Sequence, residues 1–411
     1  MRILFALPYV PSPLRVRPFN FIRELSRRHE IAVLATSSAQ ELAYVEQVRE
    51  LCSRVVVEPL NLRQGLKNCL AAPMRREPLQ AAICRSPAVE RALLDLLNSD
   101  SFDLVHVEHL RAAHLGTLIP KDIPTVFDSV DCISLLLERT MRASHSRRQR
   151  VLAALELLAT RAYESRLLNR FDRVAVTSQE DGRALQELAP ASEVAVVPNG
   201  VDLEYFHPLN GSGEPATLVL WGRMSYHANV TAALHFVKRI FPLIRRICPD
   251  VHLRIVGSSP SRMVRALARD PAISVIGFVP DIRAAIGGAT VAICPVTVKV
   301  GVQNKVLEAM AMGLPVVCTE EGYEGLAATP GQDLLVAASE REFADHVCRL
   351  LADPRLRKRV GAAGRRYVED HHRWDTAARK IETLYSDAVA RRAGYGCPDR
   401  SYPGPATCHT E

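Results

Sequence analysis

The sequence has no CxxC pair and no zinc-holding spacing, although ten cysteines are scattered through it at 52, 69, 84, 132, 248, 294, 318, 348, 397 and 408. Cys294 and Cys318 sit in apolar runs, where a thiol behaves as a small hydrophobe. A reducing cytoplasm is therefore the expected compartment. Also missing is any apolar run long enough to cross a bilayer. The opening run Arg2–Leu7 stops at Pro8, too short for a secretory core. There are no internal repeats. Lys and Arg outnumber Asp and Glu only 52 to 45, for a formal net charge of +7. No basic tract is interleaved with aromatics, so nucleic acid is not an expected partner. A small anionic substrate or an anionic membrane surface suits that balance better.

What is present is length and alternation. The 411 residues suffice for two domains with full cores, and 48% hydrophobic with 24% charged residues is a globular composition. Short apolar runs alternate with amphipathic stretches, which predicts parallel sheets with helices on both faces. Strands are expected at 2–7, 30–35, 54–58, 102–107, 124–127, 173–177 and 194–197, then at 217–221, 252–256, 274–276, 291–294 and 315–318. The chain beyond Gly325 is expected to be mostly helical. In such sheets ligands bind beyond the carboxyl ends of the strands.

The stretch 291–326 is the centre of this pattern. A helix is expected over 303–312, stopped by Gly313 and Pro315. Gln303, Val306, Leu307, Met310 and Leu314 share the face that packs on the sheet. Asn304, Lys305 and Glu308 fall on the other side, near the positive end of the helix dipole, where a phosphate is favoured. Glu308 is placed to accept hydrogen bonds from sugar hydroxyls. A solvated Lys305–Glu308 pair at i, i+3 is the competing reading.

The run GVQNKVLEAMAMGLPVV (301–317) resembles the donor-site helix of the retaining glycosyltransferases of family four, which have the GT-B fold. Its NK-x-LEAMA form is most similar to sugar transferases of exosortase-type exopolysaccharide systems. Pro198-Asn-Gly-Val-Asp202 resembles the segment where that family passes between domains. Trp374 is similar to the tryptophan before a last helix that crosses back. Gly222-Arg223 and Gly277-Phe278-Val279-Pro280 resemble its diphosphate and nucleobase loops. Three departures stand out. Val300 replaces the first of two glutamates eight positions apart, Asn229 replaces a lysine that meets the diphosphate, and prolines at 8, 11, 13 and 18 replace a paired-glycine loop.

At the strand ends of the first half, Arg15 and Arg17 are placed to meet an acceptor phosphate or to lie solvated in a proline-stiffened loop. Glu108 and His109 suit acceptor binding or proton handling, or ordinary loop polarity. His106, His109 and His114 lack a metal-binding order, so no metal is expected there. Asp128 and Asp131 read as acceptor contacts, with helix capping by Asp131 as the alternative. Residues 132–170 read as one helical region with a core stripe of Leu152, Leu155, Ala159, Ala162 and Tyr163. Arg139, Arg142, Arg147, Arg148 and Arg150 beside Ile133–Leu137 suit an anionic membrane, or simply a solvated face.

The resemblance implies two doubly wound, Rossmann-like domains facing each other across a cleft. An acceptor-side domain at 1–205 precedes a nucleotide-sugar domain at 206–370, a crossing helix at 371–391 and a disordered tail at 392–411. It implies retaining transfer of a sugar from a nucleotide-sugar donor to a saccharide or polyprenyl-linked acceptor in exopolysaccharide or cell-surface glycan assembly. No metal or other cofactor is expected, since the donor half has no Asp-x-Asp pair. The enzyme would be cytoplasmic, or peripheral on the inner face of the membrane. Arg223 and Lys305 would neutralise the leaving diphosphate and Glu308 would hold the ribose. Gly222, Gly257, Phe278, Val279, Gly301, Val302, Gln303 and Asn304 would complete the donor site. A nucleotide-sugar epimerase of the same fold, or a non-catalytic nucleotide-sugar binder, are the alternatives.

Overall fold

The computed structural model describes residues 1–394 except 40, 144–146, 210–213 and 299–300, and also excludes the side chains of 143 and 147–149. Lys299, Val300, Arg147, Arg148, Cys397 and Cys408 thus lie wholly or by their side chains outside the described set, as does the expected tail from 395 on.

Seven parallel strands form the first sheet: β1 (Arg2–Leu7), β2 (Glu30–Ser37), β3 (Arg54–Pro59), β4 (Leu104–Glu108), β5 (Thr125–Val130), β6 (Arg173–Val176) and β7 (Val194–Val196). Six form the second: β8 (Thr217–Trp221), β9 (His252–Val256), β10 (Ile273–Ile276), β11 (Val291–Cys294), β12 (Val316–Thr319) and β13 (Leu335–Ala337). The orders are β3-β2-β1-β4-β5-β6-β7 and β10-β9-β8-β11-β12-β13. Each order reverses beside its first strand, at β1/β4 and at β8/β11, and a crevice opens there at the carboxyl ends. This is the doubly wound architecture, twice over. Every expected strand is present, with ends shifted by a few residues. β13 was not expected; it is only three residues long and pairs at the edge of the sheet with β12.

One shifted end matters. β5 does not stop at Phe127, because Asp128 stays in register with Glu108 of β4 and a bulge between Asp128 and Val130 carries it on along β6. Val130 takes φ +67°, a conformation that β-branched residues rarely adopt.

The region 132–170 contains two helices, Ile133–Ala143 and Arg147–Leu168, not one. The inward face of the second keeps Tyr163 of the expected stripe but not its leucines. Leu157, Thr160, Tyr163, Glu164 and Leu167 are buried, whereas Leu152 and Leu155 face outward. The reason is polar: Glu164 receives the backbone N–H groups of Ile133 and Ser134 at the start of the preceding helix. That capping role fixes which face turns in.

The helix Pro354–His371 lies on the second domain, and Trp374–Arg392 crosses back to pack on the first. Ala377, Ala378, Ile381 and Tyr385 share a core with Ile3, Phe5 and Phe21. Trp374 meets Phe21 edge-on, 5.6 Å between ring centroids, and Gly200 packs so closely on the indole that no Cβ would fit. Replacing Trp374 with Ala should therefore destabilise the first domain by about 3–5 kcal/mol, read as a lower denaturant midpoint. An unchanged midpoint would mean that the crossing helix contributes nothing to that core.

Candidate active site

The helix at the centre of the second crevice spans Asn304–Ala311, with Gln303 as a cap residue whose side chain does not bond the helix amides. Val306, Leu307 and Met310 are fully buried, as their spacing requires. Asn304, Lys305 and Glu308 are half-buried and face the crevice. Lys305 and Glu308 do not pair with each other. Lys305 Nζ reaches Asn229 Oδ1 at 2.7 Å, and Asn229 Nδ2 donates to the Arg223 carbonyl at 3.1 Å. Trp221 Nε1 donates to Glu308 Oε2 at 2.8 Å, and burial holds the Glu308 carboxyl above its usual pKa.

Beneath these side chains the floor is bare backbone. Gly222 and Gly257 end β8 and β9 with φ +143° and +149°, and a Cβ on Gly257 would collide with the Gly222 carbonyl. Only glycine fits either position. Arg223 is exposed above them, its Nε donating to Ser225 Oγ at 3.2 Å. At the end of β10, Phe278 is 77% exposed beside half-buried Val279.

The first domain supplies the facing wall. A cavity of about 230 Å³ is lined by Arg15, Glu108, Val130 and Asp131 on one side and by Val302 and Asn304 on the other. Asp131 reaches furthest across: a Cβ on Gly301 would stand 2.6 Å from its Oδ1, so glycine at 301 permits the approach. Burial, then the neighbouring Asp181, push the Asp131 carboxyl up to about 7. Tyr9 donates its hydroxyl to Glu108 Oε1 at 2.5 Å, and burial raises the Glu108 pKa as well. Among the described residues Glu108 Oε2 has no partner.

Several expected acceptor contacts have other roles. Arg17 and Asp128 are buried and bind each other through two hydrogen bonds, Nε–Oδ2 at 2.7 Å and Nη2–Oδ1 at 3.1 Å. Arg17 Nη1 donates to the Val197 carbonyl and to Asn199 Oδ1, both at 2.9 Å. The Arg17 charge is thus compensated within the wall and not free for an acceptor phosphate, and both Asp128 oxygens are occupied. Arg15 remains at the cavity mouth, stacked 4.3 Å over Tyr9 and paired with Glu41 at 3.3 Å. His109 turns away with φ +66° and accepts the Arg111 N–H. Arg139, expected in a membrane-facing cluster, instead bonds Glu180 of its own domain and, at 2.6 Å, Glu324 of the second.

His106, Glu108 and Asp128 come together with ligand atoms within 4.8 Å, the geometry of a metal site. Their partners argue against one. Arg17 holds both Asp128 oxygens, Tyr9 holds Glu108, and Tyr385 meets His106 Nδ1 at 2.8 Å. The guanidinium already stands where a cation would be attracted. Burial keeps His106 neutral, with its pKa lowered to about 4. His114 lies apart, beside Glu90.

Tyr9, Asn199 and Trp221 were not singled out from the sequence as site residues. Each stands at or near a carboxyl strand end, and for Tyr9 and Trp221 the polar tip on an apolar ring was the available signal.

Comparison with known proteins then assigns the family. The profile described as Glycosyltransferase Family 4 matches residues 16–205, and that described as Glycosyl transferases group 1 matches 215–353. The chain belongs to the GT-B glycosyltransferases of family four. Relatives of this family-four chain include MMP alpha-(1->4)-mannosyltransferase of Mycolicibacterium hassiacum, 28% identical over 54% of this chain and 55% of that one. Another is a GDP-mannose-dependent alpha-(1-6)-phosphatidylinositol monomannoside mannosyltransferase of Mycobacterium tuberculosis, 29% identical over 53% of this chain and 62% of that one. The chain thus spans little more than half the length of the curated relatives it matches. Among solved structures, sucrose-phosphate synthase from Thermosynechococcus elongatus superposes with TM-score 0.69 at 16% identity, covering 95% of this chain and all of that one. HepE from Anabaena, in complex with UDP, gives 0.65 at 16%, over 94% and all. These two share the fold.

A measurable consequence follows from Asp131. An acid whose folded pKa is raised keeps its proton more firmly when folded. Between the unfolded value near 4 and the folded value near 7, the folded state alone is protonated, so this residue's contribution to stability falls as pH rises. Asp131→Asn, which cannot ionise, should gain stability relative to the parent from pH 5 to 8, by on the order of 1 kcal/mol after discounting for partial exposure. A difference in Tm that stays flat with pH would contradict the raised pKa.

Proposed function

We propose that the chain transfers a sugar from a nucleotide-sugar to a saccharide or polyprenyl-linked acceptor, with retention of configuration and without a divalent metal. The observation that carries this reading is the contact between Lys305 and Asn229. It brings a side-chain ammonium to the position where the family's lysine is absent, beside Arg223 and the start of the 304–311 helix. Two cations and the helix dipole are then available as negative charge develops on the departing diphosphate. Asp131 approaches the same helix start from the acceptor side. Glu308, fixed by Trp221, is placed to accept ribose hydroxyls, and Phe278 offers an open aromatic face to a base. The leaving phosphate itself would take the acceptor's proton.

The NK-x-LEAMA form supports a place in exosortase-type exopolysaccharide assembly. Polyprenyl-linked acceptors of that kind stand in the inner leaflet, so the working position we propose is peripheral, at the cytoplasmic face.

The test is a screen of nucleotide-sugars for binding, followed by transfer to saccharide and polyprenyl-phosphate acceptors with detection by mass. Glu308→Gln should weaken donor binding by about 1.5–3 kcal/mol, with little change in folding. Turnover should persist in chelator. Full loss of turnover on chelation, restored by manganese or magnesium, would overturn the metal-free mechanism. Free nucleotide and a rearranged sugar formed without acceptor would assign epimerase chemistry instead.

A further inference from the structure

The helix Leu62–Arg75 turns its leucines outward. Leu62, Leu66, Leu70 and Met74, spaced four apart on one face, are 75%, 64%, 83% and 89% exposed. Its opposite face is seated on the short helix Leu79–Ala82, with Gly65 against the Ile83 carbonyl and Asn68 donating to the Arg85 carbonyl at 2.9 Å. The apolar ridge is therefore not a core face awaiting the rest of this domain. A second exposed apolar row stands on the 147–168 helix, whose Glu156 lies close to the Leu79 and Gln80 backbone at the start of the short helix. Val151, Leu152, Leu155 and Leu158 stand exposed on that helix.

The charge on the Leu62–Arg75 helix has one sign. No acidic residue occurs between Glu58 and Glu77, while Arg63, Lys67, Arg75 and Arg76 are all exposed. Among the described residues none of these four pairs with an acid.

We propose that this ridge, and not the arginine cluster at 139–150, is where the protein docks on an anionic lipid bilayer. The inference deepens the proposed function, on which it rests for the reason a membrane is approached at all. Leucine and methionine would enter the headgroup boundary while the flanking cations meet lipid phosphates. A second copy of the chain is the weaker occupant, because a two-fold contact would set the same unpaired cations against each other. The 139–150 cluster is less suited, since Arg139 is tied to Glu324 and Arg142 to Glu138.

Flotation with phosphatidylcholine vesicles, with and without phosphatidylglycerol, tests this directly. The full chain should bind the anionic vesicles, less so at high salt. Leu66→Ser with Leu70→Ser should lower binding at least about tenfold, and Lys67→Gln with Arg75→Gln by about fivefold per charge. Nucleotide-sugar binding and Tm should be unchanged, because both pairs are exposed and remote from the donor helix. Binding that survives these substitutions, or that ignores phosphatidylglycerol, overturns the proposal. A dimer by light scattering that the leucine variant abolishes also overturns it, in favour of a second copy. If vesicles bind but no nucleotide-sugar does, the docking surface stands and the proposed function falls.

Discussion

Asn199 holds the molecule together at the point where the two domains meet. Its Oδ1 accepts from buried Arg17, its Nδ2 donates to Asn304 Oδ1 at 3.2 Å, and its carbonyl accepts from His372 Nδ1 at 2.8 Å. One side chain and one carbonyl thereby register the first-domain core, the start of the donor helix and the segment leading into the crossing helix. The arrangement depends in turn on the Arg17–Asp128 pair. Removing one partner of such a buried pair typically costs 3–5 kcal/mol, because a charge is left without compensation. Here it would also release the groups that aim Asn199.

From that anchor the chemistry of the cleft follows by displacement of charge. Where a lysine is absent, Asn229 is too short to reach a diphosphate but able to hold Lys305 by its amide. Arg17 supplies a buried cation to the His106–Glu108–Asp128 group, and so serves the wall and not the substrate. Backbone strain supports the same site: Val130, in its left-handed conformation beyond the bulge, immediately precedes Asp131. Strain of this kind persists only where surrounding structure over-determines it, and it concentrates at functional positions.

Much of this was legible in the sequence, for identifiable reasons. Apolar runs ended by proline or glycine marked the strands, and the 3.6-residue spacing of Val306, Leu307 and Met310 fixed the donor helix. That put Asn304, Lys305 and Glu308 on the side of the helix away from the sheet, where they are half-buried. What was not legible depends on partners distant in the chain. Arg17 and Asp128 are separated by 111 positions, and nothing local shows that they neutralise each other. Arg139 finds Glu324 across the cleft, 185 positions away. The periodicity of the 147–168 helix misled because its inward face carries Thr160 and Glu164. Polar groups bound to a neighbouring helix end displaced leucines that a binary pattern puts inside.

The same leucines separate two kinds of interaction in this fold. Each domain has its own apolar cores, and the described bonds across the cleft near the site are polar: Asn199 to Asn304 and Arg139 to Glu324. Polar contacts open with little loss of apolar burial, so opening the cleft does not require either core to separate. The crossing helix resists full separation, because Trp374 is committed to Phe21 and Gly200 of the first domain while Tyr367, seven residues earlier, packs with the second. Any opening of the cleft would have to bend the two short passages around Asn199 and His372, which bond to each other. Any relative movement of Asp131 and the donor helix must pivot at the junction that also positions Asn304.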